Sequence, residues 1–417
     1  MFDFDSIHET FATIGRNKLR TILTGVAVAW GILMLIILLA AGNGLKNGIT
    51  SNFSNRAQNS VTLWAGWTSV PYNGMPSDRQ IKFDQLDYDL ILNKTPEAEF
   101  VSPHISQNVI ISYGIEYGAF QLHSVTPDAA QINNIKIDAN NGRFINKLDN
   151  DNRRKVIVIS PDIAKILFKN ENPIGKFVDA GGIMLQIIGI YDNTDRFSDN
   201  PPAYIPFSTG QLLYNRGWGF HEITFTTKGL NSLNDNKLFV ERLRKRFAKL
   251  HNFDPADRSA LYIHDMAETV AETNMIFSSI QFFIWIIGLA SMMAGIVGVG
   301  NIMLITVKER TREIGIRKAI GAKPASVLQM IILESIIITT IAGYAGLMLG
   351  ILITEIVNNL MGGEQTADTP SMFKDPTVNL GIVFGATLVL IVAGVIAGLI
   401  PALKAVKVRP IEAMRAE

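Results

Sequence analysis

Val307-Lys308-Glu309-Arg310-Thr311-Arg312-Glu313-Ile314-Gly315-Ile316-Arg317-Lys318-Ala319-Ile320-Gly321-Ala322-Lys323 separates two long apolar stretches near the end of the chain. Its cations mark it as a loop on the cytoplasmic side of a membrane, because basic flanks resist translocation. Glu313 and Arg317 are four apart and Glu309 and Arg312 three apart, which predicts a helix, and Ile316, Ala319 and Ile320 give that helix an apolar side. Gly321 supplies a stop. A helix of this kind, lying parallel to the membrane, suits the groove of a cytosolic protein. The same residues are accounted for equally well by the positive-inside rule or by contact with anionic headgroups.

Outward from this loop, the composition is that of a membrane protein with a large aqueous part. Hydrophobic residues make up 48% and charged residues 18%, against about a quarter charged in a soluble domain. A net charge of +1 gives no reason to expect nucleic acid. The absence of cysteine excludes disulfides, thiolate nucleophiles and Cys-ligated zinc. Residues 21–42, 273–306, 327–357 and 378–400 are each apolar over about the 20 residues that a bilayer requires. The first is too long for a signal peptide, and Asp3, Asp5 and Glu9 interrupt the basic leader that one would carry. Before it, residues 1–20 read as a cytoplasmic amphipathic helix, with Phe4, Ile7, Phe11 and Ile14 at helical spacing beside Arg16, Lys18 and Arg20. Those cations, the ones in the loop, and Lys404, Lys407, Arg409 and Arg415 all fall on one side. Both termini, the segment 307–326 and the tail 401–417 are therefore expected in the cytosol, and 43–272 and 358–377 outside it.

The external segment is long enough to bury a core of its own. Lys155–Ser160, Ile183–Ile190 and Glu222–Thr226 read as strands, Ser160-Pro161 opens a short helix, and residues 233–250 form a longer one with a basic face best read as solvated. Apolar stripes at Leu45, Ile49 and Phe53, and at Met266, Val270 and Phe277, predict helical stalks joining this domain to the spans. The expected fold is an α-helical membrane protein with four transmembrane helices and a large α+β extracytoplasmic domain between the first and second.

Small residues four apart predict close helix packing: Ala290, Ala294 and Gly298; Ala342, Gly346 and Gly350; Gly381 with Gly385; Gly394 with Gly398. Charges avoid the span centres, which disfavours an ion-coupled transporter. The only Gly-Lys pair, Gly175-Lys176, lacks the glycine and hydroxyl residue of a phosphate-binding loop. The six histidines have no metal-ligand spacing, and there is no nucleophile elbow.

Lys308–Ala322 closely resembles the coupling segment of the MacB and FtsX family of ABC transporter permeases. Pro401–Arg415 looks like that family's C-terminal signature. Val125–Asp128, Gly142–Phe144, Asn172–Lys176 and Ile187–Ile190 resemble its MacB-type periplasmic core domain. The resemblance implies a non-catalytic permease in a bacterial inner membrane, dimerising with itself or a paralogue and recruiting a cytosolic ABC ATPase. The chain itself carries no cofactor, since ATP and Mg belong to that ATPase. Family precedent assigns the docking role to Glu309, Arg310, Arg312, Glu313, Ile314, Gly315, Ile316, Arg317, Lys318, Ala319, Ile320, Gly321 and Ala322. ATP-driven closure would move the spans and, through the stalks, the external domain, a mode called mechanotransmission. The sequence departs from MacB itself in having no fused ATP-binding domain, so the motor is expected on another polypeptide. Efflux of drugs or peptides is the leading function, with a periplasmic adaptor and outer-membrane channel as further partners. FtsX-like control of cell-wall hydrolases and lipoprotein handling use the same architecture, and a signalling scaffold is the rival outside transport. The family's core domain also implies two subdomains, one assembled from both sides of an insertion running from about Ser112 to Gly217.

Overall fold

The structure, a computed structural model, describes residues 18–53, 56–169, 171–192, 201–214, 219–230, 232–363, 376 and 380–407. The amphipathic helix expected in 1–20 lies outside them up to residue 17, as does the tail from 408 and most of the loop 358–377. The described residues form two compact units. One is helical and comprises those up to Gly48 and those from Ile276 onward; the other is mixed and comprises Ile49–Met275.

The helical unit begins with α1 (Lys18–Phe53). The mixed unit follows with β1 (Ser60–Ala65), α2 (Gln85–Lys94), β2 (Ala98–Tyr113), β3 (Glu116–Val125), α3 (Ala129–Ile132) and α4 (Lys147–Asp151). It continues with β4 (Val156–Ile159), α5 (Pro161–Phe168), β5 (Phe177–Ala180), β6 (Met184–Ile190), β7 (Ala203–Pro206) and α6 (Phe207–Leu213). It ends with β8 (Glu222–Thr227), α7 (Leu233–His251) and β9 (Leu261–Asp265). The chain then returns through α8 (Met266–Glu309), α9 (Thr311–Ala319), α10 (Pro324–Gly363) and α11 (Leu380–Val406).

Long β2 organises the mixed unit. Its first half joins an antiparallel sheet ordered β2-β8-β1-β9, while its second half pairs with both β3 and β5. The ring β2-β3-β7-β4-β6-β5 therefore closes on itself as a six-stranded barrel. Helices α2 and α7 cover one face of the open sheet, where Ile91, Phe239, Leu243 and Phe247 pack on Leu63, Val101, Ile223 and Phe225. Helix α5 contributes Ile163, Leu167 and Phe168 to the barrel's core. Its cap is the predicted one, with Ser160 Oγ accepting from the Ile163 amide at 3.2 Å and Pro161 in the first turn. The open sheet draws on both sides of the insertion. The barrel, however, starts at Ile105, opposite Ser124, and not at Ser112. One strand serves both lobes, so hydrophobic patterning carries no break at the boundary.

Four helices in the structure are long and apolar enough to cross a membrane: α8 whole, and the segments Gly25–Thr50, Pro324–Leu360 and Val383–Val406. The stripes predicted as stalks lie on α1 and α8, in unbroken continuation of the apolar runs. Glycines set the closest approaches. A Cβ on Gly346 would lie 2.2 Å from the Ala29 carbonyl oxygen, which packs α10 on α1 backbone to backbone. A Cβ on Gly394 would lie 3.1 Å from Ile336 Cα, and the Ser335 hydroxyl donates to the Gly394 carbonyl, joining α10 to α11. Among the described residues the stripe Ala290, Ala294 and Gly298 packs against no other helix. Both alanines are exposed, and nothing lies within 4 Å of a Cβ on Gly298. Contact with α1 falls instead to Gly288, against Leu35, and Gly295, against Val28.

Candidate functional site

The segment 307–326 holds the end of α8, the short helix α9 and the start of α10. Helix α8 ends at Glu309, and Arg310 turns the chain at φ −95°, ψ 10° before α9 begins. The Thr311 hydroxyl donates to the Lys308 and Val307 carbonyls at 2.7 and 3.1 Å and so satisfies the end of α8. Helix α9 stops where Gly321 takes φ +107°, a conformation that costs glycine little, and Pro324 starts α10.

Helical periodicity gives α9 two faces. Its inner face places Arg310, Ile314 and Lys318 at four-residue intervals. Ile314 is 2% exposed, in a cluster with Val307, Val327, Ile331, Ala402 and Ala405. Arg310 Nη1 reaches the buried Glu334 carboxylate on α10 at 3.4 Å, and its Nε reaches Glu313 at 3.1 Å. Lys318 Nζ donates to the Val406 carbonyl at the end of α11 at 2.8 Å, neutralising a helix C-terminus. The helix is thus clamped to α8, α10 and α11. Gly315 is buried beside Ile314, so these two members of the expected docking set support the helix from beneath.

The outer face carries Arg312, Ile316 and Ala319, with Ile320 at the C-cap, all exposed, Ile316 at 42% and Ile320 at 83%; exposed Lys323 follows beyond Gly321. The predicted Glu313–Arg317 pair forms at 3.1 Å and flanks this face. A groove of about 280 Å³ runs beside it, lined by Ile314, Arg317, Ile320, Ala322, Ser326, Val327 and Met330. The outward arrangement can seat an apolar surface with acidic surroundings. Sequence reasoning missed the Arg310–Glu334 clamp. Its only signal was a lone glutamate near the end of an apolar span.

The family-like segments of the mixed unit turn out to be structural ties. Asp128 accepts from the Val101 amide at 3.1 Å. Arg143 grips buried Asp149 through both guanidinium arms, Gly142 approaches the Ile188 carbonyl as only glycine can, and the Gly175 amide donates to Ile187 at 2.8 Å. A titratable row crosses both lobes at the strands β8, β2 and β3. His104 lies 3.7 Å from Glu222, and its ring stands edge-on to His123 with centroids 4.8 Å apart. Burial, then the neighbouring His104, push His123 down to about 3. Burial alone would raise Glu222, but the His104 and Trp64 side chains and the Arg56 charge outweigh it and bring it to about 2.

Residues 21–243 match the family model of the MacB-like periplasmic core domain, and 285–410 that of the FtsX-like permease C-terminal region. The chain is 26% identical to the macrolide export ATP-binding/permease protein MacB of Bdellovibrio bacteriovorus over 99% of its own length and 62% of that relative. It is similarly 26% identical to the pyoverdine export ATP-binding/permease protein PvdT of Pseudomonas putida, over 99% of itself and 60% of the relative. It thus spans about three-fifths of these relatives. Similarity to the uncharacterized ABC transporter permease YknZ of Bacillus subtilis covers 99% of both chains at 27% identity. The solved periplasmic region of MacB from Actinobacillus actinomycetemcomitans aligns with 54% of this chain and 96% of its own, at 21% identity and a TM-score of 0.43. The chain belongs to the family of membrane proteins that join a MacB-like periplasmic core domain to an FtsX-like permease C-terminal region.

Proposed function

We propose that this chain is the permease subunit of an ABC transporter and that a separate cytosolic ATPase docks on the outer face of α9. The observation that carries this reading is the pairing of two exposed isoleucines with a helix clamped to its own bundle. Ile320 is 83% exposed, while Ile314 six residues earlier is 2% exposed. A clamped helix transmits a push; a loose one would absorb it. Full burial of an isoleucine contributes about 1.5–3 kcal/mol, so this pair is an adequate anchor. In this reading ATP-driven closure shifts α8 and α10, and the continuous α1 and α8 carry the movement to the mixed unit. The substrates are drugs, peptides or other molecules taken from the periplasm or outer leaflet, with a dimer partner and a periplasmic adaptor completing the assembly. Relatives named for macrolide and pyoverdine export, and a full-length match to an ABC permease, support it.

The test is co-purification with the ATPase from native membranes. Ile316→Glu with Ile320→Glu should remove the ATPase while the permease remains folded, because neither side chain packs in the bundle. Undiminished recovery of a stimulated ATPase would exclude α9 as the docking site. Recovery of no nucleotide-binding subunit even with the wild-type chain would favour a scaffold role.

A further inference from the structure

Two cations of α7 are paired with acids and a third holds a backbone carbonyl. Arg242 pairs with Glu97 at 3.0 Å, Lys237 with Glu268 at 3.4 Å, and Arg246 donates to the Lys94 carbonyl at 2.9 Å. Arg244 likewise holds a carbonyl, its Nη1 donating to Leu261 on the edge strand β9 at 2.7 Å. Arg258, on the connection between α7 and β9, lines the same groove. Among the described residues neither guanidinium forms an ion pair with a carboxylate. The nearest acid in sequence, Asp257, is committed elsewhere: it accepts from the Ser69 amide and hydroxyl at 2.6 and 2.9 Å and from the Ser259 amide and hydroxyl at 3.1 and 2.6 Å. Burial, and after it the charge of Arg258, pull the Arg244 guanidinium below its ordinary value, and the Asp257 charge offsets only part of that, so the two cations feel one another. Two cations that repel each other across a groove gain when an anion sits between them.

The walls are aromatic. Trp64 on β1 stands directly opposite Tyr262 on β9, so both side chains project from one face, and His264 follows on that face two residues later. The Trp64 and His264 rings lie 6.2 Å apart, and Tyr262 is 54% exposed. The groove measures about 540 Å³, within the range of small-molecule sites.

We propose that Arg244, Arg258, Trp64, Tyr262 and His264 form a binding site for a small organic anion: a carboxylate or phosphate held by the arginines, with an aromatic or other apolar body laid against the rings. The forked guanidinium suits both anions, and the flat rings suit the attached body. The site lies wholly within the mixed unit and needs no ATPase.

The full chain in phosphatidylcholine nanodiscs is dialysed to equilibrium against 4-phenylbutyrate or phenyl phosphate, with empty discs subtracted. Both anions should bind, and whichever binds more tightly identifies the preferred headgroup. Uncharged 4-phenylbutanol and inorganic phosphate should each bind at least tenfold more weakly. Arg258→Gln, at an exposed position, should fold normally and weaken both anions at least tenfold, whereas Arg258→Lys should recover part of the loss. Trp64→Leu should weaken the aromatic anions but leave inorganic phosphate unchanged. The proposal is overturned if the wild-type chain binds neither anion, if Arg258→Gln binds within twofold of wild type, or if the alcohol or inorganic phosphate binds as well as the aromatic anions.

Discussion

Replacing Arg310 by methionine tests whether the candidate docking helix is held from inside the bundle. The substitution removes two contacts of unequal weight. Glu313 is 44% exposed, and losing its partner at 3.1 Å costs less than about 1 kcal/mol. Glu334 is 6% exposed and faces Arg310 at 3.4 Å; a buried carboxylate left without its cation costs about 3–5 kcal/mol. Arg310 retains some solvent at 20% exposure, so the lower end, about 3 kcal/mol for the variant as a whole, is expected. Unfolding of the full chain in mixed micelles, followed by helical circular dichroism, reads this as a shift in midpoint. Arg310→Met with Glu334→Leu removes both charges and should return to within about 1 kcal/mol of wild type, since an apolar pair often replaces a buried ion pair without loss. Exposed Arg312→Met should change stability by less than about 0.5 kcal/mol. If Arg310→Met proves no worse than Arg312→Met, or the double variant no better than the single, the clamp contributes nothing and the reasoning fails.

Two further predictions concern other parts of the chain. Gly346→Ala sets a Cβ 2.2 Å from the Ala29 carbonyl oxygen and should destabilise by about 1–3 kcal/mol through forced helix separation. Gly298→Ala meets nothing within 4 Å among the described residues and should be neutral in the same micelle unfolding assay; equal effects would contradict the packing described. The mixed unit should lose stability in acid. His123 is held at about 3 against an ordinary 6.5, so the unfolded chain binds its proton first; the stability is complete above 6.5 and is lost as pH falls toward 3. Glu222, at about 2 against 4.5, acts in the same direction below pH 4.5. His123→Gln should flatten the stability slope between pH 6 and 4 by up to about 1.4 kcal/mol per pH unit, and an unchanged slope would show that His123 charges freely in the fold.

Much of this architecture was legible in the order of residues, because hydrophobicity and charge act locally. Four apolar runs, the Ser160-Pro161 cap and the Glu313–Arg317 pair each rest on residues near one another in the chain, and all appear in the structure. Tertiary structure decided which surfaces were already occupied. Sequence spacing made Ile314 and Ile316 equal candidates for a partner, but the cluster with Val327 and Ala402 takes the first and leaves the second open. It likewise made Ala290, Ala294 and Gly298 a packing stripe, although the rotation of α8 against α1 spends Gly288 and Gly295 instead. Arg244 and Trp64 are separated by most of the mixed unit in sequence, and only the pairing of β1 with β9 beneath α7 puts them in one groove. By itself the sequence determined which segments are helical, which are apolar and where the charges lie. Which face of each helix is spent inside the chain, and which remains for a partner or ligand, follows from long-range packing, which no local pattern encodes.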